Sequence, residues 1–366
     1  MAKTSVHWFR KAVWLTASFA TLLASLSALS AWVSPVWCRW LGVFTLGYPV
    51  LMLSAFLLVV FNLLVWRKRL WLPLLLWLPG LYALGTYAPY NFSQSATSKD
   101  TLRVMTYNVF FWSWQERDGN GLSPMARYIA NRRPDIVFVQ EAYSDPSFEK
   151  KAMRPLFQKV GLNHYVTIQM ENDQVGILTR YPILDYGRIE MPSKNNGATW
   201  FRLLRAKGDT LLAVSVHLQS VGLSEHDREG YSDLTRGREE GGLTNTHRMS
   251  RRILGQLANA SAVRAVQAKK LHDFLVAHRG ERIILAGDFN DTPISFPHHM
   301  VDRELTDAFR TAGRGLSRTF NRHSMVVRID HLFCSSHFTP YRAKVDDQAT
   351  LSDHYPLIVD LAVKAP

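Results

Sequence analysis

The chain reads as an α/β protein in two unequal parts: two mixed sheets packed face to face with helices outside, preceded by a strongly apolar stretch over residues 1–90. Three observations carry this reading. Ten short runs of strand length, many apolar throughout, lie between residues 102 and 363, helical patterns are few, and no acidic residue precedes Asp100. Strands that are apolar on both faces must be covered on both, which two stacked sheets flanked by helices achieve.

In chain order, the first elements are three apolar spans at 12–33, 41–65 and 70–89, each long enough to cross ~30 Å of hydrocarbon at about 1.5 Å per residue. Residues 1–90 are thus expected to form a three-helix transmembrane anchor in a lipid bilayer. Pro73 and Pro79 interrupt the third span, which membrane helices tolerate. A cleaved signal peptide is the alternative for the first, since Lys3, Arg10 and Lys11 precede an apolar run containing Ser27-Ala28-Leu29-Ser30-Ala31. Trp32, Trp37, Trp40, Trp66 and Trp71 fall near span ends, as interfacial belts do. Lys3, Arg10, Lys11 and Arg67-Lys68-Arg69 flank the spans on one side, whereas the 34–40 loop has only Arg39. The positive-inside rule then keeps the N-terminus and the 67–69 loop cytoplasmic. Three crossings put the remainder outside the cytoplasm, the periplasmic side of the inner membrane in a bacterium; if the third span only lies in the interface, the remainder is cytoplasmic. The Ser- and Thr-rich residues 91–99 read as the linker.

Beyond it, strands are expected at 102–109, 135–140, 164–169, 174–179, 184–190, 198–206, 210–217, 282–287, 326–334 and 356–363. Helices are expected at 122–132, ended by Pro134, at 149–159, and at 250–278, where Leu254, Leu257, Ala258, Val263, Val266, Leu271 and Leu275 approximate one stripe. There is no internal repeat or low-complexity tract. The whole chain carries +13, but residues 1–90 hold seven basic residues and no acid, so the rest has 36 bases against 30 acids. That mild excess suits a polyanionic or phospholipid ligand without selecting one. The two cysteines, Cys38 and Cys334, fall in different parts, which argues against a disulfide between them.

The most informative stretch is Ile283-Ile284-Leu285-Ala286-Gly287-Asp288-Phe289-Asn290. Side-chain alternation sends Asp288 and Asn290 to the same face of a strand end. A carboxylate and an amide together can accept from and donate to one water, orienting it for in-line attack; the plainer reading is a strand followed by an Asx turn. Similar apolar strands end in Asn108, in Gln140-Glu141 and in His217-Leu218-Gln219, and Arg328-Ile329-Asp330-His331 and Leu351-Ser352-Asp353-His354 follow near the C-terminus. Singly, Glu141 suits a solvated strand end and His217 a satisfied core histidine.

The ordered series Asn108, Glu141, His217, Gly-Asp288-Phe-Asn290, Asp330 and Ser-Asp353-His354 resembles the endonuclease/exonuclease/phosphatase superfamily, the deoxyribonuclease I-like proteins, over about residues 100–364. The resemblance implies a four-layered α/β sandwich and Mg²⁺-dependent (or Mn²⁺-dependent) hydrolysis of a phosphoester, with nuclease-type activity first and sphingomyelinase- or phosphoinositide phosphatase-like activity as the alternative. The substrate would be nucleic acid, a phospholipid head group or a soluble phosphate ester, and no obligate protein partner is inferred. By family correspondence Glu141, Asp353 and Asn108 form the metal side. Asp288 and Asn290 orient or deprotonate the attacking water, and His354 is the acid or base with Asp330 fixing its tautomer. Asn108 and Asn290 contact the phosphate, and His217 donates to a phosphate oxygen or protonates the leaving group. Elementary chemistry agrees: phosphoester cleavage needs charge stabilisation, an oriented water and a proton donor for the leaving alkoxide. A catalytically idle binding module of the same fold is the competing class.

His331 reads as a bystander facing away from Asp330. The resemblance to the deoxyribonuclease branch implies a carboxylate partner for His217, for which Asp173 and Glu171 are the nearby candidates. The long polar segment at about 220–250, with His226-Asp227-Arg228-Glu229, is either a lid over the cleft or a surface insertion.

Overall fold

The computed structural model describes residues 2–92, 94–193, 195–206, 208–222, 242–322 and 327–364. The expected 220–250 lid falls largely outside the described residues.

Four helices precede the sheets: α1 (Ala2–Leu29), α2 (Trp40–Leu46), α3 (Tyr48–Trp66) and α4 (Trp71–Tyr87). Among the described residues two stretches, Thr4–Trp32 and Tyr48–Arg69, are long and apolar enough to cross a membrane. The third expected span is a 17-residue helix with Pro79 inside it, which is shorter than read from hydropathy because the helix starts only at Trp71 and stops before Pro89. Pro79 is accommodated by its neighbours. Ser25 donates to the Leu76 carbonyl at 2.6 Å and accepts from the Gly80 amide at 3.1 Å, while the Tyr48 hydroxyl donates to the Gly80 carbonyl at 2.7 Å. The backbone groups that the irregularity would orphan are thereby satisfied by α1 and α3, and α1, α3 and α4 pack around Ala24, Ala28, Met52, Ala55 and Trp77.

Twelve strands follow among the described residues: β1 (Thr101–Asn108), β2 (Ile136–Gln140), β3 (His164–Gln169), β4 (Gln174–Thr179), β5 (Ile183–Ile189), β6 (Gly197–Ala206), β7 (Asp209–His217), β8 (Ile283–Asp288), β9 (Thr306–Asp307), β10 (Asp330–Cys334), β11 (Phe338–Val345) and β12 (Leu357–Val363). They form two six-stranded sheets of order β11-β12-β1-β2-β4-β3 and β5-β6-β7-β8-β10-β9. In each, one central pair is parallel, β1 with β2 and β7 with β8; the other pairs are antiparallel.

Period-two alternation builds the layers. Val104, Phe138, Phe201, Ala213, Ile284, Leu332 and Val359 face inward between the sheets. Their neighbours Met105 and Val137 face outward onto the helix Pro124–Arg132, through Ile129, and the helix Arg154–Lys159, through Phe157. On the other sheet Leu212, Val214 and Leu285 meet Leu271 and Leu275 of the long helix Gly242–Ala277. Each fully buried side chain of this size contributes about 1.5–3 kcal/mol, so the alternation is worth far more than any local propensity. Ser123 caps the Pro124–Arg132 helix, its hydroxyl accepting from the Ala126 amide. The result is the expected sandwich of two mixed sheets between helical layers.

Some elements differ from expectation. The strand expected from 326 begins only at Asp330, and the segment expected to be one helix at 149–159 is a π turn (Glu149–Met153) running into an α-helix (Arg154–Lys159). β9 and β11 were not legible: β9 has two residues, and β11 is an edge strand with Pro340 at a register shift and alternating exposure. Phe110–Gln115 turns with positive φ at every residue, from 41° to 62°, a left-handed stretch that L-residues adopt at a cost of about 1–2 kcal/mol each.

Candidate active site

Because β1 and β2 run parallel, and β7 and β8 likewise, the C-terminal ends of both central pairs open at one edge of the sandwich, the edge where open α/β sheets place ligands. Asn108 ends β1, Glu141 follows β2, His217 ends β7 and Asp288 ends β8. β10 and β12 run antiparallel to their neighbours, so their N-terminal ends bring Asp330 and His354 to the same edge. Register does the final placement: Asp288 pairs with His217 across the β7–β8 ladder and with Asp330 across the β8–β10 ladder.

Asp288 is therefore the hub. Its Oδ2 lies 3.7 Å from His217 Nε2 and 3.7 Å from His354 Nε2, and accepts from Asn108 Nδ2 at 3.3 Å. Its Oδ1 accepts from the Asn290 amide at 2.7 Å, an Asx turn that bends the chain away while leaving Oδ2 free to face the two rings. Each histidine is oriented from behind. His354 Nδ1 is 2.8 Å from Asp330 Oδ2, and His217 Nδ1 is 2.7 Å from Asp173 Oδ2. These pairs direct both Nε2 atoms at Asp288, as a carboxylate does in other His–carboxylate pairs. Glu171, the other candidate for His217, is exposed.

Asn108 Nδ2 also donates to Glu141 Oε1 at 3.0 Å, so one amide ties the Glu141 carboxylate to Asp288. Glu141 and Asn290 both have positive φ, 50° and 51°, the conformations that turn strand ends sharply at functional sites. Asp173 reaches back to the Glu141 amide at 3.1 Å. Ser352 donates to the Asn108 carbonyl at 2.7 Å and accepts from the His354 amide at 3.2 Å. Asp353 lies 3.8 Å from Arg322 Nε, and the Asn290 side chain donates to the Leu218 carbonyl at 3.1 Å. Thr319 was not anticipated. Its hydroxyl accepts from the Ile329 and Asp330 amides at 2.9 Å and 3.1 Å, contacts that only tertiary packing creates. His331 turns away from the cleft, as expected, with Nε2 on the Asp291 carbonyl at 2.9 Å.

Among the described residues, Asp288, Asp330 and His354 present ligand atoms all within 4.8 Å of one another. This differs from the expected metal set of Glu141, Asp353 and Asn108, in which Glu141 joins the hub through Asn108. In the present arrangement the Asn108 nitrogen points at both carboxylates, and its Oδ1 accepts from the Phe110 amide at 3.1 Å. The donor chemistry nevertheless suits a hard divalent ion: carboxylate oxygens from Glu141 and Asp288 converge, and Asp330 Oδ1 and His217 Nε2 are buried without a hydrogen-bond partner.

Burial opposes protonation of both histidines, yet surrounding carboxylates win. Asp330 and Asp288 hold His354 at about 10, and Asp173, Asp288 and Glu141 hold His217 at about 9. Burial and the neighbouring Asp330 push the Asp288 carboxyl upward, against the two histidines. Groups whose pKa is raised on folding stabilise fully below the unfolded value of about 6.5 and lose that contribution as pH rises through the folded value. Metal-free protein should therefore melt at progressively lower temperature between pH 6.5 and 10, and His354→Asn should flatten that decline. Parallel melting curves for the variant and the parent over this range would refute the linkage.

A buried carboxylate flanked by two carboxylate-backed histidines, at the strand ends of a two-sheet sandwich, is an arrangement suited to acid–base chemistry. The endonuclease/exonuclease/phosphatase family model matches residues 105–354, and the chain belongs to that family. A second model, a domain of unknown function (DUF8431), matches residues 10–87. No curated protein matches the chain. Solved structures with a similar fold include an endonuclease/exonuclease/phosphatase from Beutenbergia cavernae DSM 12333, at 17% identity and TM-score 0.50 over 73% of this chain and 72% of that one. A family protein from Bacteroides thetaiotaomicron is 18% identical, with TM-score 0.50 over 73% and 99%. ANGEL2, a 2',3'-cyclic phosphatase solved in complex with adenosine-2',3'-vanadate, is 12% identical, with TM-score 0.51 over 74% and 98%.

Proposed function

We propose that the protein is a membrane-anchored, Mg²⁺-dependent phosphoesterase, with residues 1–90 as anchor, 91–99 as linker and 100–366 as catalytic domain. The observation that carries the catalytic part is Asp288 Oδ2 flanked at 3.7 Å by two carboxylate-backed histidines. Asp288, ionised, accepts a proton from the attacking water, with Asn290 holding the turn that aims it. As the new P–O bond forms, the bond to the leaving oxygen breaks and His354 Nε2 supplies the proton that the alkoxide needs. His217 Nε2 donates to a non-bridging phosphate oxygen. Glu141 and Asp353 would hold a Mg²⁺, which would supply positive charge against that building on the phosphoryl oxygens.

Nuclease-type hydrolysis is the first reading of the substrate, in keeping with the family. A lipid phosphoester is the second, favoured by one observation: Ile294, four residues beyond Asn290, packs among Ala24, Ala28, Tyr48 and Tyr87 of the apolar helices. Contacts between the two parts also bear on topology. Trp32 meets His299, Arg39 donates to Asn259, and Arg328 donates to the Thr86 carbonyl, all at the bundle end opposite Arg67-Lys68-Arg69. This supports an anchor with its basic loop in the cytoplasm and the catalytic domain on the extracytoplasmic, periplasmic side.

The test is hydrolysis by full-length protein, with Mg²⁺ or EDTA, of plasmid DNA, RNA, sphingomyelin and phosphatidylinositol phosphates, with His354→Ala as blank. Cleavage of one class that needs both metal and His354 is the expected result; a folded protein that cleaves none favours the binding-module reading. Glu141→Gln should raise the Mg²⁺ concentration for half-maximal rate by at least ~10-fold. An unchanged Mg²⁺ titration would remove Glu141 from the metal site.

A further inference from the structure

The end of α4 is joined to the catalytic strands by one buried arginine. Arg328 is 2% exposed and donates from Nη2 to the Thr86 carbonyl at 3.0 Å, across 242 positions of sequence. Its Nη1 lies 3.4 Å from His331 Nδ1 and 3.8 Å from Asp307 Oδ2, and its guanidinium rests 4.3 Å over the Phe309 ring. Asp307 is shared with His298, whose Nε2 is 3.0 Å away. The pairing is incomplete, because Arg328 Nε has no hydrogen-bond partner. A buried guanidinium so partnered is a poor way to gain stability alone, since an apolar side chain of similar volume commonly does as well.

What it does uniquely is connect. Arg328 stands two residues before Asp330, and His331, which it touches, donates from Nε2 to the Asp291 carbonyl at 2.9 Å, one residue beyond Asn290. Asp291 is itself held by Arg264 Nε at 3.0 Å. The loop continues to Ile294, which packs into the bundle beside Tyr87, the neighbour of Thr86. Both segments that frame Asp288, the one carrying Asp330 and the one leaving Asn290, are thus pinned to the same helix end.

We propose that Arg328 is a positioning residue and that the α4 terminus is part of the active-site scaffold instead of a passive tether. The inference rests on the phosphoesterase reading for its kinetic arm only. Arg328 holds the Asp330 strand and the 291–294 loop in the register that lets Asp330 orient His354 against Asp288, so its loss reduces turnover without weakening substrate capture.

The test uses full-length protein in lipid nanodiscs, with bis(p-nitrophenyl) phosphate and Mg²⁺ as the kinetic probe and amide hydrogen exchange as an activity-independent readout. Arg328→Met should lower kcat at least ~10-fold with KM within ~2-fold, and should speed exchange in 288–294 and 328–332 while β1 and β2 stay protected. Arg328→Lys, which keeps a donor for Thr86, should recover most of both. Arg314→Ala, which removes another contact between the two parts, the guanidinium 4.3 Å over Tyr90, should leave both unchanged. If Arg328→Met fails to fold, Ile294→Ala decides, with the same split and the same exchange pattern expected at smaller amplitude. Wild-type exchange in the 288–294 and 328–332 segments, in Arg328→Met or failing that in Ile294→Ala, overturns the inference. Absent hydrolysis by the parent protein with altered exchange in the variant instead overturns the phosphoesterase reading and leaves the scaffold role standing.

Discussion

Asp288→Asn should lower kcat by ~100-fold to ~10 000-fold, the range spanned by positioned acid–base groups, while the protein keeps its fold. The substitution is nearly isosteric, and the asparagine oxygen can keep the 2.7 Å bond from the Asn290 amide. What is lost is the carboxylate facing both histidines, and with it the group assigned to take a proton from water. The charge removal also reaches the histidines. Asp288 is among the groups that raise His217 and His354, so both should become easier to deprotonate in the variant, and the alkaline limb of any residual activity should move to lower pH. One complication is local: Asn108 Nδ2, which donates to Asp288 at 3.3 Å, would face an amide and must turn. Initial rates with the cleaved substrate, paired with a melting curve, check the expectation. Hydrolysis within a few-fold of the parent would remove Asp288 from the acid–base role.

Gly287→Ala is expected to be among the most damaging single methyl additions at the described glycines. Gly287 stands opposite Val216 in the parallel β7–β8 ladder, with φ at +154°. A Cβ there would lie 1.8 Å from the Val216 carbonyl oxygen and 2.7 Å from its carbon. These are backbone atoms at the centre of a six-stranded sheet, so no side chain can swing aside to make room. The strands must part, and the ladder bond from the Leu218 amide to the Asp288 carbonyl, 2.9 Å, parts with them. A loss of about 3 kcal/mol or more follows from overpacking and disfavoured backbone combined, and a melting temperature lower by on the order of 10 °C. The same displacement separates His217 from Asp288, so activity should fall further than stability alone explains. A variant melting within about 2 °C of the parent would show that the ladder absorbs the methyl.

The legible and illegible parts of the site differ for physical reasons. Asn108, Glu141, His217, Asp288, Asp330 and His354 stood out because each interrupts an apolar run at its end, and strand alternation is a property of neighbours in sequence. Side chains that fill the sandwich, such as Val104, Phe138 and Ile284, lie in runs apolar throughout, which mark strands without saying which face each residue takes. Asp173 was visible only as one of two candidates: its choice over Glu171 depends on where the β4 turn sets each carboxylate, one buried against His217 and the other exposed. Thr319 carried no signal at all, being one hydroxyl in a loop. The strand β11 was missed because an edge strand buries only one side, so Arg342 and Lys344 break the apolar pattern that marks the central strands.

From its sequence alone this chain is an apolar helical segment followed by a two-sheet α/β domain whose strand ends carry phosphoester chemistry, because burial pattern and alternation are written locally. Tertiary structure alone decided that Asp288 is the hub, that Asn108 bridges two carboxylates, and that Thr86 and Ile294 bind the helices to the catalytic edge. Those facts depend on pairing register and on contacts between segments such as Thr86 and Arg328, 242 positions apart, which are selected by the packing of the whole core and leave no mark on neighbouring residues.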